Sequence, residues 1–207
     1  MLTRLKDALD HIAEAVIKQR DLLDRLDSIG DSDHGTNMAR GFTAAMEELE
    51  RLNDLSSTKV VFETVGTAFA ESIGGASGPL YATAFLRAAA ACDENTTFNV
   101  ENVEKLLNAA VEGVKRRGHS DAGEKTMLDV LIPVHKCFTP EEAKDKTLYQ
   151  CIEAAVKAAK DGLDYTKTIP AKKGRASYIG ERSIGHEDPG AMSSLIMVRE
   201  LFNFLKY

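Results

Sequence analysis

Two aspartates one residue apart sit on a glycine-flanked turn, Ile29–Gly30–Asp31–Ser32–Asp33–His34–Gly35–Thr36–Asn37. Carboxylates at i and i+2 on such a turn can converge on one hard cation, and Asp27, four residues before Asp31, offers a third. Oxygen ligands of this kind suit Mg²⁺ or Ca²⁺ better than a soft metal. A calcium loop fails on spacing. With Asp31 as its first position, Thr36 falls where the invariant glycine belongs and Phe42 where the bidentate glutamate belongs. Magnesium carrying phosphates fits better. Gly35, Thr36 and Asn37 would open the next helix, whose free N–H groups and dipole attract phosphate. A plainer reading stays open, in which Asp31 and Asp33 only cap that helix.

Two further connections are rich in glycine and polar residues. Ile73–Gly74–Gly75–Ala76–Ser77–Gly78–Pro79 joins two helical segments and places a serine to cap or to touch a ligand. It is not a Walker A loop, since no Gly-Lys-Ser/Thr follows. Its amides suit a phosphate cradle at a helix start, or the segment is a tight interhelical turn. The stretch AKKGRASYIGERSIGHEDPG, Ala171 to Gly190, gathers Lys172, Lys173, Arg175 and Arg182, with Lys167 just before it. A loop this long without structure of its own is usually a functional lid or disordered. A guanidinium there can close over phosphoryl oxygens, while a solvated surface loop accounts equally for the charges. Asp188–Pro189–Gly190 reads as a helix-starting turn. His34 and His186 are candidates for base or phosphate contact, against the plainer role of neither.

Helices must position these loops. Leu5, Leu9, Ile12, Val16 and Leu23 put one apolar stripe down a first helix from about Thr3 to Arg25. Val61, Val65, Phe69 and Ile73 repeat the pattern, as do Val100, Val103, Leu107, Val111 and Val114. The latter helix has Asn99 as its cap, Lys115 to Arg117 in its last turn, and Gly118 suited to the left-handed residue after it. Leu148 to Ala159 forms a further stripe ending near Gly162, and a last helix covers Leu195 to Leu205. Pro140, with capping-box spacing from Thr139 to Glu142, marks another helix start, and Pro133 should kink or divide its segment. No alternating strand pattern is present. The chain therefore reads as all-α, an up-and-down antiparallel bundle of seven to nine helices, with residues 1–207 forming one domain.

Composition narrows the function classes. The 207 residues hold 26 Lys+Arg against 32 Asp+Glu, and the net charge of −6 argues against nucleic acid as a partner. No apolar run approaches a membrane span, so no membrane role is expected. The charged N-terminus has no apolar signal core, and Cys92, Cys137 and Cys151 match no CxxC spacing. Reduced thiols in a cytoplasmic protein are the expectation.

Four collinear segments resemble the L (nucleotide-binding) subunits of dihydroxyacetone kinases: GDSDHGTNMARGF (Gly30–Phe42), GGASGPLYATAFLRAA (Gly74–Ala89), RGHSDAGEKTMLDVLIPV (Arg117–Val134) and KKGRASYIGERSIGHEDPGA (Lys172–Ala191). The resemblance implies a barrel of eight antiparallel amphipathic helices in up-and-down order. It also implies ADP or ATP at one rim, with two Mg²⁺ bridging carboxylates and phosphates. Asp31 and Asp33 match two of the three metal-holding aspartates of the family. The family pattern LDxxIGD is one residue longer than Leu26–Asp27–Ser28–Ile29–Gly30–Asp31, so Asp27 is the expected third ligand and Asp24 the next choice. Ser32 stands where the family has a glycine. By the same match His34, Gly35, Thr36 and Asn37 line the phosphates, with Ala76 and Ser77 beside them. Gly118, Thr126 and Met127 border the nucleoside. Arg175 reaches the phosphates as the catalytic residue, and Asp188, Pro189 and Gly190 complete the pocket.

The implied activity is phosphoryl supply to dihydroxyacetone bound on a separate K subunit, since nothing in the chain resembles a triose site. The favoured version keeps ADP bound as a cofactor and recharges it from phosphoenolpyruvate through a phosphotransferase-system (PTS) subunit. Alternatives are an L subunit that exchanges ATP and serves a triose or tetrose such as erythrulose, and a non-catalytic regulatory module that holds nucleotide. The nucleotide half of a fatty-acid kinase is weakened by the lack of a fused lipid domain. A homodimer is left open.

Overall fold

A computed structural model describes residues 2–52, 57–75, 77–93 and 96–206. Among these residues there are nine α-helices and no strand: α1 (Leu2–Lys18), α2 (Arg20–Leu26), α3 (His34–Arg51), α4 (Thr58–Ser72), α5 (Ser77–Ala90), α6 (Val100–Gly118), α7 (Leu128–Lys136), α8 (Leu148–Thr166) and α9 (Pro189–Leu205). Two 3-10 segments, Asp27–Ile29 and Arg175–Ser183, lie in the loops before α3 and α9. None of the described helices is long and apolar enough to cross a membrane.

The apolar stripes become the core. Leu9, Ile12, Ala13 and Val16 of α1 are buried, as are Val61, Val65, Ala68 and Phe69 of α4. The expected first helix is broken at Gln19, where ψ moves to 13° and the N–H is shared between the carbonyls of Ala15 and Val16. The break lets α2 turn and bury Leu23 completely while the stripe stays in register. Asn99 caps α6 through the Asn102 amide at 2.8 Å. The left-handed residue is His119 (φ 47°), however, and Gly118 is the last helical residue. No helix starts at Pro140. The Ala143 amide closes a single turn on Thr139, and charged residues follow with no stripe to bury. The working capping box is Thr147 with Gln150, at the start of α8.

That helix runs through Gly162 to Thr166, and Gly162 lets α7 approach it: a Cβ there would lie 2.2 Å from the Asp129 carbonyl. Pro133, inside an undivided α7, has no N–H to offer that same carbonyl. Each helix from α3 to α9 packs on the next, α9 packs on α1, and α1 packs on α3. One buried cluster gathers Val16, Leu23, Phe42, Val65, Phe69 and Ile196; a second, around Val134, Ile152, Ala159 and Phe202, joins α7, α8 and α9. All three cysteines are free thiols. The two 3-10 segments touch, which brings the aspartate turn and the basic loop together.

Candidate functional site

The aspartate turn is built on Asp27. Its carbonyl accepts from the amides of Gly30 (2.8 Å) and Ser32 (3.1 Å), and its Oδ2 accepts from the Asp33 amide at 3.2 Å. A Cβ on Gly30 would lie 2.3 Å from Asp27 Oδ1, so a side chain there would displace the Asp27 carboxylate. Ser32 adopts φ 57°, a left-handed conformation that costs a non-glycine residue roughly 1–2 kcal/mol. Burial pushes the half-buried Asp27 carboxyl up. The amides of Asp33 and His34 oppose this, and the charges of Asp33 and Asp31 add to it. Asp31 points elsewhere, to Arg175 Nε at 3.1 Å.

Both oxygens of Asp24 are taken by Thr36, from its amide (2.9 Å) and its hydroxyl (2.7 Å). Asp24 thus ties α2 to the first turn of α3, leaving Asp27, Asp31 and Asp33 as the carboxylates of the turn. The three do not form a tight cluster with their present rotamers, and no such cluster occurs among the described residues. Their all-oxygen donor set, and a carboxylate disfavoured as an anion by burial and by the charges of Asp33 and Asp31, nonetheless fit a hard divalent cation.

The first residues of α3, α5 and α9 are cross-tied by buried polar side chains. His34 Nδ1 lies 3.1 Å from Ser77 Oγ, and its Nε2 lies 2.8 Å from Ser193 Oγ. Ser193 in turn meets the Tyr81 hydroxyl at 2.7 Å, and the Gly190 carbonyl accepts from Tyr81 (3.2 Å) and Ser194 (2.8 Å). Burial drives the His34 imidazole down to about 4, so at neutral pH one ring nitrogen donates and the other accepts. Burial likewise lifts the Tyr81 phenol to about 12, against the pull of the two serines. Gly35 admits no side chain: a Cβ would lie 1.9 Å from the Arg20 carbonyl of α2. Asn37 is buried on α3, Thr36 is exposed, and Ala76 lies outside the described residues.

Of the remaining expected residues, Met127, Asp188, Pro189 and Gly190 meet at the start of α9. Asp188 caps that helix through the Ala191 amide at 2.7 Å. Burial raises its carboxyl to about 7; the Ala191 amide and Lys125 oppose the rise, while Asp129 and Asp27 contribute to it. Met127 is buried beside Gly190, where an added Cβ would sit 3.5 Å from Met127 Cβ. The Thr126 amide donates to Asp129 Oδ2 at 2.9 Å, and Gly118 lies against Leu80 of α5. The basic loop has structure of its own, a 3-10 segment interrupted at Gly180 (φ 54°). Arg175 is exposed in that segment, and Lys173 reaches the carbonyl of His119 and, at 3.8 Å, Glu124. His186 offers its carbonyl rather than its ring, accepting from Lys125.

Sequence reasoning missed Lys125, Asp129, Tyr81 and Ser193. Their only signal is a polar residue on a buried surface. Together the arrangement offers amides at helix starts, a carboxylate turn and a guanidinium across from it, which suits a polyanion carrying a divalent cation.

Residues 28–203 match the family model described as the DAK2 domain. The chain is 44% identical over 190 residues to the PEP-dependent dihydroxyacetone kinase 1, ADP-binding subunit DhaL, of Listeria innocua serovar 6a, covering 91% of this chain and 89% of the relative. It is 40% identical to the PEP-dependent ADP-binding subunit DhaL of Escherichia coli K12, over 86% of this chain and 84% of the relative. For the PTS-dependent ADP-binding subunit DhaL of Lactococcus lactis the figures are 37%, 91% and 90%. The fold is similar to that of the dihydroxyacetone kinase of C. freundii, with a TM-score of 0.75 at 23% identity over 96% of this chain. The chain spans about a third of that protein (34%). A second structure of that kinase, in complex with AMP-PNP and Mg2+, gives the same TM-score at 22% identity.

Proposed function

The chain belongs to the DAK2 domain family, and from that premise we propose that it is the ADP-holding L subunit of a phosphoenolpyruvate-dependent dihydroxyacetone kinase. The observation that carries the reading is the Arg175–Asp31 contact, which joins the carboxylate turn to the basic loop. A single domain, 1–207, would close as a barrel of eight antiparallel helices, α1 and α3 to α9, with α2 outside the ring; the return of α9 onto α1 supports this. The partners are a K subunit that binds dihydroxyacetone and a PTS-type phosphoryl donor subunit, in the cytoplasm. The reading asks nothing of a homodimer.

In this reading Asp27, Asp31 and Asp33 would hold two Mg²⁺, which would supply charge neutralisation to the nucleotide phosphates. Gly35, Thr36 and Asn37 in the first turn of α3 would line the phosphates, the Thr36 amide exchanging Asp24 for a phosphate oxygen, with Ser77 at the start of α5 and Ala76 beside them. The side chain of His34 fixes these helix starts relative to α9 rather than acting as a base, because both ring nitrogens are engaged and burial makes the imidazole a poor proton acceptor. Gly118, Thr126 and Met127 border the nucleoside, and Asp188, Pro189 and Gly190 close the pocket. When bound, the nucleotide would supply the phosphoryl group destined for dihydroxyacetone on the K subunit. Arg175, released from Asp31, offsets the charge on the equatorial oxygens.

Denaturing the purified protein and identifying the released nucleotide tests the cofactor role. Stoichiometric ADP that survives dialysis supports it; an empty protein that binds ATP reversibly overturns it. Mixing with a K subunit and dihydroxyacetone, with either ATP or phosphoenolpyruvate plus carrier proteins, then identifies the donor. No transfer from either donor overturns the kinase reading.

A further inference from the structure

Lys125 lies in the segment between α6 and α7 and is only 2% exposed. Its backbone sits at φ 60°, where a lysine is disfavoured by roughly 1–2 kcal/mol. Burying an ammonium costs more still unless it is hydrogen-bonded. A residue held at both costs has work for its side chain. The Nζ donates to the carbonyls of Thr166 and His186, with the Ile169 carbonyl at 3.5 Å. An ammonium has three donors, and three carbonyls face them, so it has none left for a phosphate. Burial pushes the ammonium below the usual lysine range, and the charges of Asp188 and Asp129 only partly oppose it.

The three carbonyls come from the two ends of one loop. Thr166 ends α8 and Ile169 follows it, whereas His186 stands just before α9; between them runs the segment that carries Arg175. The neck has further ties. The Gly185 amide donates to the Lys167 carbonyl at 2.8 Å, Lys167 Nζ meets Glu187 at 2.7 Å, and the Asp188 amide donates to Thr166 Oγ1 at 3.1 Å. Past the neck the loop leans on Lys125's own segment, through the Lys172 amide and the Glu124 carbonyl at 3.1 Å. Among these ties Lys125 is the one group that bonds both ends of the loop to a third segment.

We propose that Lys125 is a positioning residue for phosphoryl transfer: by drawing both ends of the loop onto one ammonium, it closes the neck and sets where Arg175 stands. Its place in turnover rests on the kinase-subunit reading; the closed neck does not.

The test is Lys125→Met, which keeps the length and removes the charge and donors, read by amide hydrogen exchange and by kinetics. The amides of Ala171, Lys172, Gly185 and Asp188 should exchange about tenfold faster or more, with α3 to α5 unchanged. The kcat should fall about tenfold to a hundredfold, with the KM for the K subunit little altered. Combining Lys125→Met with Arg175→Ala should be no slower than Arg175→Ala alone, which a general loss of structure would not produce. Unchanged exchange in the loop, or losses that multiply in the double variant, would overturn the proposal. If Lys125→Met does not fold, Lys125→Gln, which keeps two donors without the charge, is judged by the same readouts. A wild-type protein that transfers nothing defeats the kinase reading and Lys125's place in it, while exchange still reads the neck by itself.

Discussion

Replacing Asp188 with asparagine should make the nucleotide-free protein more stable at pH 8 and leave it nearly unchanged at pH 4. The Asp188 carboxyl caps α9, and burial raises it from the ordinary 3.8 to about 7. A group whose folded value lies above its unfolded one binds its proton more tightly in the folded state. The stability this contributes is fully present below pH 3.8 and is lost as pH rises through 7. The difference corresponds to about 4 kcal/mol, and the residual contact of the carboxyl with water brings the expected loss to about 2 kcal/mol. Asparagine keeps an oxygen for the Ala191 amide and cannot ionise, so the cap survives and the loss does not occur. Urea unfolding of both proteins across pH 4 to 8, in chelator, isolates Asp188 from other carboxylates by difference. Parallel stability curves would refute the reasoning, because they would mean the carboxyl ionises in the folded protein as readily as in the unfolded one.

Asp31→Ala and Asp33→Ala should each release the bound nucleotide while leaving the thermal midpoint within a few degrees, since both side chains are exposed; ADP retained in both variants removes them from the metal site. Asp27→Asn should change the Mg²⁺ dependence of nucleotide retention, and an unchanged dependence would pass the third ligand to another residue. Arg175→Ala should slow phosphoryl transfer with ADP still bound and stability unaltered, because an exposed ion pair with Asp31 is worth about 1 kcal/mol or less; wild-type turnover would exclude Arg175 from the reaction. Tyr81→Phe should cost about 1–2 kcal/mol in urea unfolding by removing a buried hydroxyl from Ser193 and Gly190, and an unshifted midpoint would show that the network adds nothing.

Local pattern made the helices and the aspartate turn legible, because apolar period, caps and glycine-flanked carboxylates are written in neighbouring residues. The break at Gln19 was not, since the stripe continues in step through Leu23 on either side of it. At Pro140 the capping pattern was present but the residues after it are charged, so a helix there would have had nothing to bury. The left-handed position fell on His119 instead of Gly118, a shift of one residue that spacing does not resolve. The residues missed at the site share one property: their partners are remote in sequence. Lys125 meets carbonyls 41 and 61 residues away, and Tyr81 meets a serine 112 residues away. A buried polar residue announces itself only when its partners are known.

Bringing helix N-termini together creates an electrostatic cost that the cross-ties must bear. Each helix start carries roughly half a positive charge, so the first turns of α3, α5 and α9 repel one another until an anion lies between them. A charged imidazole at their junction would add to that repulsion. His34 instead is held neutral by burial and satisfied by two hydroxyls, so it joins the three helices without contributing charge. Tyr81, Ser193 and Ser194 extend the same uncharged network along α9. The charged groups lie outside this network: Asp27 and Asp31 on the turn, Arg175 in the loop, and Lys125 sealed among carbonyls at the loop's neck. This division leaves the junction of the three helices on neutral hydrogen bonds that salt does not screen. The carboxylates and the guanidinium at the rim remain able to exchange partners, Arg175 leaving Asp31 for phosphate as a cation takes its place.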